Sequence, residues 1–355
     1  MKILALDLGK SKSVACMYET PTADHRFETV RTTALELEEL LTREEPQRVV
    51  IEVCTIAGWV GDLVRARDIE LEVANPTHDA WRWKNVKRKT DRDDALKLAQ
   101  LSAMAQLPTV YLPQRKVRQW RSLIAYRQAL VRRRTAIKNH IRSVLDREGL
   151  SWPASRAGWS DKALLSLRRL ARPMEEVTGG SLWRGELFEE LRQYDAVGRS
   201  LGEVELKLNA LGRADARVRR LRTIPGVGPR LAEALVAVID DPHRFGNGKQ
   251  VACYVGLTPK QYQSGAQDRH GRITGAGNHW LRSLLVEVSW LGLRNNSWMA
   301  EVYERVRGGS SSRKKVAIVA VARRLLIRCW AMLRDEQVWR PPGGAAAASG
   351  QELAA

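Results

Sequence analysis

Two short apolar runs near the N-terminus, each with a carboxylate at or near its end, constrain this chain more than any other feature. Residues 3–8 read ILALDL, and residues 48–53 read RVVIEV. Continuous apolar runs of this length predict strands that are buried on both faces. Asp7 lies inside the first run and Glu52 near the end of the second. A buried carboxylate is costly unless a cation or a hydrogen-bond donor compensates it, so both acids are candidate functional residues.

The pattern around these runs alternates between strands and helices. Residues 14–18 follow the first run closely enough to pair with it as a hairpin, and residues 70–74 form another strand-like run. Residues 35–41 and 59–66 have the apolar spacing of helices. We therefore predict a mixed α/β layer domain over residues 1–112.

An acidic motif, KTDRDDA at residues 89–95, completes a candidate metal site. Asp91 and Asp94 are three residues apart at the predicted start of a helix, so they project from one face, whereas Asp93 points elsewhere. Carboxylate oxygens are the ligands that hard cations such as Mg2+ prefer, and two such ions could activate the attacking oxygen of a nuclease-like reaction. The alternative is structural, with Asp91 as a helix N-terminal charge. The predicted metal ligands are Asp7, Glu52, Asp91 and Asp94.

A different enzyme class shares part of this pattern. An Asp-Leu-Gly strand end followed by a hairpin also opens the phosphate-binding strand of sugar kinases and actin-like ATPases. Those enzymes need a second Asp-Gly phosphate loop and a Gly-rich adenosine loop downstream, and we find neither in the sequence. We therefore disfavour phosphoryl transfer from a nucleotide.

The chain carries a strong excess of positive charge. Its 355 residues include 59 Lys or Arg against 40 Asp or Glu, a formal net charge of +19. This excess predicts a polyanionic partner such as nucleic acid. No apolar run approaches the roughly 18 uncharged residues of a membrane-spanning helix, and the N-terminus does not read as a signal peptide. We expect a cytoplasmic, nucleoid-associated protein with no membrane contact.

One predicted helix holds nearly half of that excess. Residues 115–148 contain eleven Lys or Arg and two acids. Apolar residues recur every seven positions over 123–144 and again over 187–208, which predicts a coiled coil or helical hairpin within residues 113–215. The intervening segment 151–183, rich in Trp, Ser, Gly and Pro, is expected to be irregular, and its role is not predicted.

We expect a mainly helical C-terminal domain over residues 216–340, followed by a disordered tail at 341–355. Residues 224–228 read IPGVG. Gly226 and Gly228 would let backbone N–H groups approach a phosphate at a helix N-terminus, as in a helix-hairpin-helix motif. A tight turn without a ligand is the alternative.

Ser264 stands in a second motif-rich segment of this domain. It precedes Gly265 in a flexible, basic stretch that also holds Arg269 and Arg272, so its hydroxyl could face a phosphodiester. By spacing alone, a loop serine is far more often a turn residue. A hydroxyl nucleophile also needs activation, and the sequence shows no general base beside this one.

Taken in order, these motifs resemble the DEDD transposases of insertion-sequence family 110. The resemblance rests on the four acids, on the glycine turn at 224–228, and on GLTP, QSG, GRIT and GN within residues 256–278. It spans nearly the whole folded chain. One departure is Gly275-Ala276, where many relatives carry basic residues.

The resemblance implies both a fold and a chemistry. The fold would be a RuvC-like N-terminal domain of the ribonuclease-H type, a coiled-coil middle and a C-terminal transposase domain. The acidic quartet would bind the metal ion, and Ser264 would form a covalent phosphoserine with DNA while strands are exchanged. The metal could then supply the activation that Ser264 needs.

The resemblance also implies partners. The family works as a homotetramer in which the acidic site of one protomer meets the serine of another, and a structured bridge RNA pairs with donor and target DNA. The predicted nucleic-acid contacts, for which a solvated surface is the alternative, are Arg132, Arg133, Arg134, Lys138, Arg142, Gly226, Gly228, Arg269 and Arg272.

Two other functions remain open at this point. A RuvC-like Holliday-junction nuclease would hydrolyse DNA with metal-activated water and form no protein–DNA bond. A non-catalytic nucleic-acid-binding protein would use its acids only structurally.

Overall fold

A computed structural model describes residues 1–76, 90–152, 158–264 and 267–341, with only the backbone described at 263, 264 and 267–270. The chain divides into two compact units, Met1–Gln119 and Trp120–Ala355. The finer boundaries near residues 112 and 215 remain predictions. Apart from residue 341, the predicted disordered tail lies outside the described residues.

The first unit contains a five-stranded mixed sheet with helices on both faces. Its elements are β1 (Lys2–Asp7), β2 (Lys12–Glu19), β3 (His25–Arg31), α1 (Ala34–Glu44), β4 (Arg48–Glu52), α2 (Ala57–Arg65), β5 (Glu70–Ala74) and α3 (Asp91–Ala103). The strand order is β3-β2-β1-β4-β5. The strands β3, β2 and β1 pair antiparallel, whereas β1, β4 and β5 run parallel.

The mixed α/β layer predicted from the sequence is therefore confirmed, and it contains one strand that the sequence did not predict. Strand β3 lies at the edge of the sheet and pairs along the whole of β2. Most of its side chains are polar or exposed, and only Val30 is buried. An edge strand pairs with another strand on one side only, and its side chains need not be apolar. The apolar pattern of such a strand is therefore weak in the sequence.

Alternate residues of the central strands are buried on opposite faces of the sheet. Leu4 and Leu6 pack with α1 and α2 on one face. Ile3 and Ala5 pack on the other face with α3, which contributes Leu98 among its buried residues. Both faces of β1 are thus covered, which explains its continuous apolar run.

The second unit is mainly helical. Its elements, the first of which begins at the end of unit one, are α4 (Arg115–Arg147), α5 (Asp161–Leu170), α6 (Leu182–Ala214), α7 (Ala216–Leu221), α8 (Pro229–Ile239), α9 (Gly248–Val255), β6 (Pro259–Ser264), β7 (Gln267–Ile273), α10 (His279–Gly292), α11 (Ser297–Arg307) and α12 (Lys314–Arg334). Every residue of α8 from Leu231 to Ile239 is buried, so this helix forms the centre of the core.

The two long helices α4 and α6 pack as an antiparallel pair. Arg127 forms an ion pair with Glu205 (2.6 Å), and Arg147 forms one with Glu186 (2.6 Å), so the start of one helix faces the end of the other. Buried residues of both helices meet in one apolar cluster, which includes Ile141. Heptad spacing thus correctly indicated the two helices, and their supercoiling remains a prediction.

We had expected segment 151–183 to be irregular, but part of it is helical. It contains α5, whose N-terminus is capped by the Ser160 hydroxyl accepting a hydrogen bond from the Ala163 amide (3.4 Å). Leu164 and Leu167 of this helix pack into the cluster between α4 and α6. Residues 153–157 lie outside the described residues. No helix of the described part of the chain is long and apolar enough to cross a membrane.

Candidate functional site

The carboxyl ends of β1 and β4 bring Asp7 and Glu52 side by side. In the parallel register Leu6 pairs with Ile51, and the two acids are the next residue along each strand. Val50, two residues before Glu52, packs in the cluster on the α3 side of the sheet. Because side chains alternate along a strand, Glu52 belongs to that same face, and the same argument applies to Asp7 on β1.

Helix α3 runs antiparallel to β4 and brings its first turn to the same edge. Arg48, which begins β4, donates Nη1 to the carbonyl (3.3 Å) and the hydroxyl (3.2 Å) of Ser102 near the end of the helix. From Ser102 back to Asp94 is about 12 Å of helix, and β4 extends about 13 Å from Arg48 to Glu52. Asp91 and Asp94 therefore lie at the edge where the two strand acids lie.

Within the acidic motif, Asp93 has a separate, structural role. Its carboxylate accepts hydrogen bonds from the amide (2.9 Å) and the hydroxyl (2.7 Å) of Thr90, and its own amide donates back to that hydroxyl (3.3 Å). These bonds form a capping box at the start of α3, and the Thr90 hydroxyl holds the pKa of Asp93 below its ordinary value. The prediction that Asp93 is directed differently is confirmed. Lys89 of the motif lies outside the described residues.

The four carboxylates share one edge and one face without surrounding a common point. Within the part of the chain that the structure describes, no three His, Cys, Asp or Glu side chains are close enough together to hold a metal ion. Asp7, Glu52 and Asp94 each interact with other groups in the chain. The donor set itself, four carboxylates, has the chemistry that a hard divalent cation prefers.

Ser264 is the last residue of β6, in a hairpin, rather than part of a flexible loop. Its backbone pairs with that of Gln267, so only two residues, which lie outside the described part of the chain, separate β6 from β7. Arg269 pairs opposite Tyr262, and Arg272 is exposed near the end of β7. Ser264 therefore lies at the tip of an antiparallel arm that we call the serine hairpin, residues 259–273.

The glycine turn at 224–228 opens onto a helix, as the sequence indicated. Gly226 has a φ of +92° and Gly228 is the N-cap of α8, with no side chain capping the helix there. The turn also packs within the unit, because Asn296 donates its side-chain amide to the Pro225 carbonyl (3.1 Å). The helix-hairpin-helix assignment and the phosphate contact remain predictions.

The predicted contact residues on α4 fall into two groups. Lys138 lies over the rings of Trp159 (5.0 Å) and Tyr194 (5.7 Å), and Arg142 lies over Trp152 (5.4 Å) and Trp159 (5.9 Å). Burial in this cluster lowers the pKa of Lys138, with Arg134 and Arg142 adding repulsion. The second group, residues 132–134, is exposed or half-exposed. Two tryptophans of segment 151–183, Trp152 and Trp159, thus contact two of the five cations, although Arg142 remains exposed.

Comparison with known proteins identifies the family. Residues 4–149, which include the acidic quartet, match a DEDD transposase family of IS110, and residues 218–304, which include Ser264, match the transposase family IS116/IS110/IS902. A probable family 20 transposase of Pseudomonas aeruginosa is 33% identical over 71% of this chain and 75% of that protein. The transposase for insertion sequence element IS1111A of Coxiella burnetii is 28% identical over 82% of this chain and 79% of that protein.

Two further similarities are more limited. The pilin gene-inverting protein of Moraxella lacunata is 28% identical over 37% of this chain and 41% of that protein. The Thermus thermophilus RuvC structure is 15% identical, covers 31% of this chain and 100% of that one, and has a TM-score of 0.22, too low to establish a shared fold. The relatives that match most of the chain are transposases, and both family matches agree. The chain therefore belongs to the IS110 family of DEDD transposases and is a DNA transposase.

Proposed function

We propose that this transposase cleaves and rejoins DNA through a covalent phosphoserine on Ser264, with Asp7, Glu52, Asp91 and Asp94 as ligands of Mg2+. What supports the proposal is the position of the four acids at one edge of the sheet, inferred from the β1–β4 register and the direction of α3. The strand order β3-β2-β1-β4-β5 is also consistent with a first unit of the RuvC-like, ribonuclease-H type.

The serine chemistry is an exchange of phosphodiester bonds. The Ser264 oxygen attacks phosphorus, an oxygen–phosphorus bond forms, and the bond to the leaving deoxyribose oxygen breaks. The serine proton is given up and the leaving oxygen takes one, so the number of phosphoesters is unchanged. Attack by the hydroxyl of a different strand reverses the step and restores the serine. No nucleotide hydrolysis is needed, because the bond energy is kept in the phosphoserine.

A divalent cation bound by the quartet would act as a Lewis acid, which would favour ionisation of a hydroxyl and stabilise negative charge on the phosphate. The hairpin would present Ser264 to DNA, because most of the described side chains of the hairpin are exposed. The Moraxella relative is named for inverting a pilin gene. Inversion requires both ends of a segment to be cut and rejoined, which a covalent intermediate permits.

The same proposal extends to the partners. We expect donor and target DNA to be selected by a structured bridge RNA, and a homotetramer to bring the acidic edge of one protomer to the serine of another. The net charge of +19 and the exposed arginines at 132–134 support a polyanionic surface of this kind. We expect the complex to act in the cytoplasm on the nucleoid.

A denaturing gel tests this function directly. Protein co-expressed with its flanking DNA is given Mg2+ and labelled target, and a DNA adduct that survives denaturant is expected for the wild type only. Ser264→Ala and Asp7→Asn should each abolish the adduct, whereas the matched controls Ser312→Ala, an exposed serine of the second unit, and Asp93→Asn should retain it.

The two alternative functions, a RuvC-like nuclease and a non-catalytic nucleic-acid-binding protein, predict different results on this gel. Cleavage without an adduct, unchanged in Ser264→Ala, would mean that a RuvC-like nuclease with a water nucleophile is correct. An adduct that forms equally in Asp7→Asn would show that the quartet has no role in the reaction. Membership in a transposase family already disfavours the non-catalytic alternative.

A further inference from the structure

The serine hairpin extends away from the rest of its unit. Its two strands pair with each other, and no other helix or strand among the described residues packs extensively against either of them. Lys260, Tyr262 and Arg272 are exposed. The direction of the hairpin must therefore be fixed where its strands enter the unit. We call these two segments, residues 254–256 before β6 and 275–277 after β7, the hairpin root.

A single buried arginine joins the two sides of this root. Arg282 lies in the first turn of α10 and is 8% exposed. Its Nη1 donates to the carbonyl of Val255 (3.1 Å) on the entering segment and of Ala276 (3.0 Å) on the leaving one, and its Nη2 donates to Gly275 (3.4 Å). A guanidinium stays charged and is costly to bury, so its hydrogen bonds to these carbonyls are what hold it in place.

The two segments also touch through their backbones. Gly256 and Gly277 have φ values of +77° and +81°, and a Cβ on either would overlap the opposite segment, at the Ala276 or the Tyr254 carbonyl oxygen respectively. The Thr274 amide donates to the Thr258 carbonyl (2.9 Å) just beyond the root. The hairpin therefore begins from two segments of the chain that are in direct contact.

The arginine connects this contact to the core. Its neighbour Leu281 and the next-turn residue Leu285 are fully buried in the main cluster of the unit. Asn278 caps the same helix by accepting a hydrogen bond from the Leu281 amide (3.0 Å). A displacement of the root would therefore require movement of a helix that the core holds in place.

We propose that Arg282 is a positioning residue that fixes the direction of the serine hairpin by clamping its root. This rests on the proposed function of Ser264. Arg282 contacts backbone carbonyls and need not touch DNA, so it acts on the rate of serine attack through the placement of the hairpin. A misplacement of about 1 Å can lower a rate about 100-fold when the reacting atoms must be aligned.

The test compares Arg282→Met and Arg282→Lys with the wild type. At saturating DNA we expect adduct formation to be about 100-fold slower for the Met variant and partly restored for Lys, which keeps the charge and can reach one or two carbonyls. DNA affinity, measured by fluorescence anisotropy, should be unchanged for both. The control is Arg217→Met, which removes a hydrogen bond to the Asp240 carbonyl and an ion pair with Asp215, whereas Arg217 contacts no part of the root.

Hydrogen exchange supplies a readout that does not depend on Ser264. We expect the Thr274 amide to lose protection in Arg282→Met, while amides of α8 keep theirs. Unchanged Thr274 protection together with a wild-type adduct rate would overturn the clamp. Equal losses in affinity and rate would show a merely structural role. If the wild type forms no adduct, the proposed function fails, and the exchange measurement still decides the clamp; if the Met variant does not fold, Lys carries the test.

Discussion

Adding one methyl group to the hairpin root should cost far more at Gly277 than at Gly275, two residues away. Both glycines have positive φ, +81° and +70°, so alanine at either position incurs the strain of the left-handed region, roughly 1–2 kcal/mol. A Cβ at Gly275 meets no atom within 4 Å, whereas a Cβ at Gly277 overlaps the backbone at Tyr254. Gly275→Ala is therefore the matched control for the strain alone.

The additional cost at Gly277 comes from separating the two segments. The Tyr254 backbone cannot swing aside as a side chain can, so the root must open and weaken the bonds from Arg282 to Val255 and Ala276. A hydrogen bond to a charged group contributes roughly 1.5–3 kcal/mol, so losing one brings the total for Gly277→Ala to about 3–5 kcal/mol. The difference between the two variants should then be about 2 kcal/mol.

Urea unfolding followed by circular dichroism measures this difference, and thermal unfolding should show it as roughly 4–8 °C in Tm for a unit of this size. The reasoning is refuted if both variants lose the same free energy of unfolding, because close approach at the root would then contribute nothing. It is also refuted if Gly275→Ala is the more damaging variant.

Three further predictions concern other parts of the chain. Asp93→Ser should keep the cap of α3 and retain adduct formation, whereas Asp94→Asn should abolish it; loss in both would contradict a structural role for Asp93. Burial raises the pKa of Glu233 in spite of its ion pair with Arg230, so the free energy of unfolding of the wild type should fall relative to Glu233→Gln as the pH rises above about 4.3, and parallel pH profiles would contradict this. Leu208→Ala, at a fully buried position of α6, should lower the free energy of unfolding by about 2–5 kcal/mol, against less than about 0.5 kcal/mol for Leu206→Ala, which is 71% exposed; similar losses on urea unfolding would show that burial does not decide the cost.

The central strands and long helices were predictable because their periodicity is strong. The apolar runs that form β1 and β4 are covered on both faces, and the acids that follow them lie where parallel strands end. Strand β3 was missed because an edge strand has little apolar signal. The helix α5 was missed because the composition of segment 151–183 obscured a short amphipathic run beginning after Ser160.

Only some features of the serine hairpin were predictable from the sequence. Two residues between β6 and β7 are the spacing of a tight hairpin, but a basic, polar sequence favoured a loop. The burial of Arg282 was not predicted either, although the sequence contains one indication of it. Arg282 lies on the same side of its helix as the buried residues Leu285 and Ser289, at spacings of three and seven. The carbonyls it binds come from two separate segments, and no local pattern contains that information.

The aromatic cluster around Lys138 and Arg142 reduces the number of cations on α4 that are available to contact phosphates. The salt dependence of DNA affinity should fall accordingly. Of the eleven cations at 115–148, those two lie on rings, Arg118, Arg127 and Arg147 pair with acids, and Arg121 donates to the backbone carbonyls of Ala237 and Val238. Among the described contacts the other five, Arg115, Lys116 and the three consecutive arginines at 132–134, form no ion pair. Each phosphate contact on duplex DNA contributes about −0.9 to the slope of log affinity against log salt. This helix should therefore account for a slope of about −4.5 instead of the roughly −10 that its composition suggests.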